Sequence, residues 1–178
     1  GAGNGSVSVN GSLGKSQGRV EADLTRLLVY DRDGDIARLS GQVTLTDDED
    51  GRLAVGKLVV DEARVSLDNL PSSGPKAIDV RWTDDDVSAS EASRMKQTLR
   101  LNLDINADRR VYVTGRGLDS EWAIDLTATG TASNVNLKGD ATMVRGSLDL
   151  AGRPFVFDSG EITFDGPVDS ARIAVDAE

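Results

Sequence analysis

The 178-residue sequence contains neither cysteine nor histidine. The first absence excludes disulfides and thiolate metal sites; together the two remove every ordinary zinc ligand set. The second also removes the commonest general base and the Ser-His nucleophile pair. Catalysis would be left to carboxylates, and metal binding to an oxygen-ligand cation site. Aromatic residues make up only 4% of the chain, and 20 basic against 30 acidic residues give a net charge of −10. With no cluster of Lys and Arg, neither a nucleic-acid surface nor an anionic-membrane surface is expected. No apolar run approaches the roughly 18 residues of a membrane span, and no leader pattern heads the sequence.

What the sequence has in abundance is alternation. Leu99, Leu101, Leu103 and Ile105 interleave with Arg100, Asn102, Asp104 and Asn106, the period of a strand that buries one face. The beat returns in Val111 and Val113, in Trp122, Ile124, Leu126 and Ala128, and in Leu137, Gly139, Ala141 and Met143. It then changes phase at Val144 and continues through Gly146, Leu148 and Leu150, a slip that requires a bulge or bend. Phe155, Phe157, Ile162 and Phe164 close the stretch. Earlier runs at Val7 to Leu13, Val20 to Leu24, Leu39 to Leu45, Leu53 to Val55 and Ala63 to Leu67 follow the same rule, whereas Leu27 to Tyr30 is apolar on both faces. Acidic turns at Asp31 to Asp35 and Asp47 to Gly51 separate them, as Asp and Gly tolerate positive φ. The expectation is an all-β domain of some fourteen strands, mostly an antiparallel meander. Alternation runs almost to both ends, as in a piece of a longer sheet, and residues 1–178 are read as one domain.

Pro71 to Pro75 interrupts the pattern, and a short strand is expected at Ile78, Val80 and Trp82. Residues 83–95 hold three consecutive aspartates and few apolar side chains, so they are expected to form a mobile acidic loop. A short helix over residues 90–96 is the competing reading.

The candidate sites for chemistry are thin. Asp31-Arg32-Asp33-Gly34-Asp35 is similar to the opening of a calcium loop, but its glycine comes too early and Leu39, Gly41 and Gln42 occupy the later ligand positions. A hairpin turn explains it better. Glu121, Asp125 and Asp149 lie on polar strand faces, where solvated carboxylates are ordinary. Gly115-Arg116-Gly117 lacks the further glycine and helix of a phosphate cradle and reads as a turn. No catalytic residue, metal site or cofactor is assigned. The apolar face has two explanations. It packs on a second sheet as a sandwich core, or a sheet too long to stay flat curls into an apolar trough. From the residues alone, a sandwich or an acidic carbohydrate-active β-protein remains open.

A resemblance bears on that choice. Val111 to Trp122, with its run Gly115-Arg116-Gly117-Leu118-Asp119-Ser120-Glu121-Trp122, closely resembles the TamB C-terminal domain family. So do Gly130-Thr131-Ala132, Leu137-Lys138-Gly139, Val144-Arg145-Gly146 and Gly160 to Gly166; Ala37 to Gly41 and Leu58 to Val65 look like earlier parts of the same domain. The resemblance implies a long, curled, taco-like open trough with an apolar interior. It implies a periplasmic location within a parent protein anchored in the inner membrane of a Gram-negative bacterium, and membrane contact only through other parts of that parent. It further implies a TamA-like outer-membrane barrel as partner, and roles in moving lipid between membranes and in outer-membrane protein assembly. The expected function is a conduit for phospholipid acyl chains, not an enzyme. Its lining would be Leu99, Leu101, Leu103, Ile105, Val111, Val113, Trp122, Ile124, Leu126, Leu137, Met143, Leu148, Leu150, Phe155, Phe157, Ile162 and Phe164. The alternative is an assembly module that binds outer-membrane protein strands by β-augmentation.

Overall fold

Alternating sequence becomes sheet because each run can bury one face only beside another run. The computed structural model describes residues 5–13, 18–48, 51–69 and 99–177. The expected strand at Ile78 to Trp82, the acidic loop 83–95 and the competing helix at 90–96 lie outside the described residues. Among the described residues nine strands form a single sheet in chain order: β1 (Ser6–Leu13), β2 (Gly18–Arg32), β3 (Asp35–Asp48), β4 (Gly51–Ser66), β5 (Leu99–Gly115), β6 (Leu118–Thr131), β7 (Asn134–Leu150), β8 (Arg153–Pro167) and β9 (Arg172–Ala177). The sheet is an open, curled trough, not a closed barrel.

Two features differ from the sequence expectation. Among the described residues the strands are fewer and longer than the fourteen or so anticipated, since breaks between alternating runs are bulges within continuous strands. The runs at Val20 and at Leu27 both belong to β2, and those at Leu53 and Ala63 both belong to β4. The second difference is that β4 and β5 are parallel, from Arg52↔Leu99 to Ser66↔Thr114, while all other neighbours are antiparallel.

The acidic pentapeptide at Asp31 is a two-residue hairpin. Asp33 and Gly34 have φ of 55° and 89°, both positive as a type I′ turn requires. Arg116 and Gly117, at 53° and 86°, turn β5 into β6 in the same way.

The bulges fall on one transverse line. Pairing slips by a residue or more between Leu24 and Tyr30 of β2 and at Arg38/Leu39 of β3. It slips at Val59/Ala63 of β4, at Ala107/Val111 of β5 and at Glu121/Trp122 of β6. It slips again at Phe157/Ser159 of β8. At β7, Trp122 pairs with Met143 and Glu121 with Arg145, so Val144 is the extra residue. This is the phase change seen in the sequence. A bulge bends its strand and sharpens the local twist, and bulges shared by neighbouring strands add into a seam. It divides the sheet into a lower half, near Leu99 and Thr131, and an upper half, near Gly115 and Leu150.

Candidate functional site: an open apolar face

Residues directly opposite one another in adjacent strands project from the same face, so the register alone shows how far the apolar face extends. Leu58, Ile105, Leu126, Gly139 and Phe164 form one row from β4 to β8. The next row is Ala107, Ile124, Ala141, Ile162 and Ile173. On the seam stand Ala63, Val111, Trp122 and Met143, and above it Leu118, Leu148 and Phe155. The same face continues into β3, β2 and β1 through Gly41, Leu24 and Val7.

The register brings the seventeen residues singled out from the sequence to this one face. Val111, Trp122 and Leu126 are buried. Leu99, Leu101, Leu103, Ile105, Val113, Ile124, Leu137, Met143, Leu148, Phe157, Ile162 and Phe164 are half-buried. Leu150 and Phe155, beside the β7–β8 turn, are exposed at 61% and 38%. Among the described residues only eight hydrophobic ones are buried, and four of those are alanines: Ala54, Ala107, Ala128 and Ala141. A sandwich core would bury its large side chains instead. No second layer covers the face among the described residues.

Sequence reasoning missed Ala107, 2% exposed and central to the packed cluster with Val111, Trp122 and Ala141. The signal was present, since Ala107 completes the alternation begun at Leu99. It also missed Ser120, 1% exposed on the apolar face. Its hydroxyl donates to the Val113 carbonyl at 3.0 Å and accepts from Trp122 Nε1 at 2.9 Å. Thus Trp122 presents its ring to the face with its one polar atom satisfied.

The opposite face is polar, and its carboxylates are occupied by structure. Glu121 Oε2 accepts from Arg145 Nε at 2.7 Å, and Oε1 accepts from the Arg110 backbone N–H at 3.3 Å. Asp125 accepts from Asn106 at 2.9 Å, and Asp149 from the Gly152 N–H at 2.8 Å. A shallow depression of about 460 Å³ lies beside Asn106, Asp125, Asp140 and Glu161. Among the described residues, no three acidic side chains are grouped to hold a metal ion. What the arrangement offers chemically is a long apolar surface, open to one side and backed by a hydrated one. A family model described as the TamB C-terminal domain matches residues 1–178.

Proposed function

The chain belongs to the TamB C-terminal domain family, an envelope-associated family with a role in outer-membrane protein assembly and translocation, and on that premise we propose that it is a conduit segment for phospholipid acyl chains crossing the periplasm. The observation that carries this reading is the continuous apolar face, largely half-buried and without a covering layer among the described residues. Each CH₂ of an acyl chain gains about 0.8 kcal/mol on leaving water for such a lining. Adjacent positions along the face offer nearly equal gains, so a chain can advance without re-entering water. The headgroup stays hydrated at the open mouth, and the step needs no catalytic group. A TamA-like barrel would receive the far end of the path. No helix among the described residues is long and apolar enough to cross a membrane. On this reading membrane contact falls to other parts of the parent protein.

Replacing half-buried Ile124 by Asp tests the reading. The new charge can remain hydrated in an open trough, so the fold should survive by circular dichroism, whereas the water it brings should interrupt the path. Photo-crosslinking to lipid from positions on either side of Ile124 should fall several-fold. A folded variant with undiminished crosslinks on both sides removes the conduit.

One observation supports a second reading. Every residue of β9 is exposed, and its outer edge has no partner strand among the described residues. An unpaired edge is a template for an incoming strand, as capture of an outer-membrane protein segment would require. Loss of client-protein crosslinks on Ala174→Lys, which puts the charge on the polar face of the edge strand opposite Glu161, with lipid crosslinks unchanged, would favour this reading over the first.

A further inference from the structure

Gly146 and Gly160 stand on the apolar face where the seam crosses β7 and β8. Neither has the positive φ that would by itself call for glycine. What explains them is the matter lying over them. A Cβ on Gly146 would come within 2.6 Å of Met143 Sδ and 2.8 Å of Phe157 Cδ2, and a Cβ on Gly160 within 2.7 Å of Met143 Cε. The β7–β8 ladder is also interrupted here: pairing runs to Thr142↔Glu161 and resumes at Ser147↔Val156. Two side chains therefore fill a short slot between strands that are not laddered together, floored by two glycines.

We propose that Gly146 and Gly160 floor an acyl-chain subsite which Met143 and Phe157 cover until a chain displaces them. The inference rests on the conduit reading and names the place in the trough where a chain is held and its passage regulated. The shape of the filler identifies the occupant. Met143 is unbranched and flexible and Phe157 is apolar, so the space they vacate fits a polymethylene chain, and among the described residues the Ser120 hydroxyl, on this face beside Gly146, is already hydrogen-bonded. The wall beside the slot is fixed, because Trp122 is pinned to Ser120. The cover moves by side-chain rotation, which breaks no backbone hydrogen bond, and the interrupted β7–β8 ladder leaves the slot beneath it unfilled by paired backbone. A chain that runs along β7 from the lower to the upper half of the trough crosses the seam at this slot.

The sequence contains two methionines, Met95 and Met143, so the spectrum of the chain labelled with ¹³C at the methionine methyls alone is simple to assign. Titration with dihexanoyl phosphatidylcholine below its micelle concentration should move the Met143 resonance saturably. Gly160→Ala places a methyl in the slot without backbone strain and should weaken that response about tenfold. Photo-reactive residues in place of Leu103 and Leu148 report lipid below and above the seam in the same samples. Met143→Ala uncovers the floor and should raise the Leu148-to-Leu103 crosslink ratio, which gives a readout even if Gly160→Ala fails to fold. Crosslinks at both positions with an unmoved Met143 resonance, or a ratio unchanged in Met143→Ala, overturn the subsite and leave the conduit standing. No crosslink at either position and no shift removes the conduit, and the subsite with it.

Discussion

At the scale of single residues, neighbours on one strand take opposite tasks. Trp122 faces the trough while Glu121, one position earlier, faces the polar side and ties β6 to β7 through Arg145. The Arg145 hydrogen bond holds the Glu121 carboxyl below its ordinary value, against a smaller opposing push from burial. A carboxyl depressed in the folded state takes its proton first in the unfolded chain. The pair's stabilisation is therefore complete above the ordinary carboxylate range near pH 4.3 and is lost as pH falls through the lower folded value. Arg145→Met should flatten the acid limb of the melting-temperature profile and leave its slope near pH 7 unchanged. Thermal melts from pH 7 to pH 2 measure this, and parallel acid limbs in the two proteins would contradict it. The effect should be small, because the Arg145 side chain is largely exposed.

At the scale of elements, the seam makes some strand positions dispensable and others not. Val144 is an exposed extra residue, and removing it joins Met143 to Arg145 with both still on the faces they now occupy. Deleting it should cost no more than about 2 kcal/mol, since no buried side chain changes face. Thr127 lies in a regular part of β6, paired to both Asp104 and Lys138. Deleting it sends Ala128 and Gly130 to the polar side and should cost more than about 4 kcal/mol. Urea titrations of the two deletion variants and the parent chain rank the costs; the opposite order would mean that the bulges are not independent of the ladder around them.

At the scale of the whole molecule, a half-covered apolar face predicts that its ligand stabilises the fold. Lipid that binds only the folded trough contributes about 2.7 kcal/mol at a hundred times its Kd, or roughly 5–11 °C in melting temperature for a chain of this size. Calorimetry with dihexanoyl phosphatidylcholine below its micelle concentration should show that rise, and Ile124→Asp should abolish it. The all-β class, the alternation of faces within each run and the bulge at Val144 were legible in the sequence, because the two-residue period is a local property of extended backbone. That the breaks near Arg26 and Asp61 are bulges inside single strands, and that β4 pairs β5 in parallel, were decided by neighbouring ladders whose partners lie far along the chain. Gly146 reads as an ordinary member of the alternation and nothing in the pattern singles out Gly160; only the folded sheet lays Met143 and Phe157 over them. Alternation states only that one face avoids water. Whether a second layer covers it, as in a sandwich, or it is left open for a ligand depends on surfaces that meet only when the whole sheet has formed.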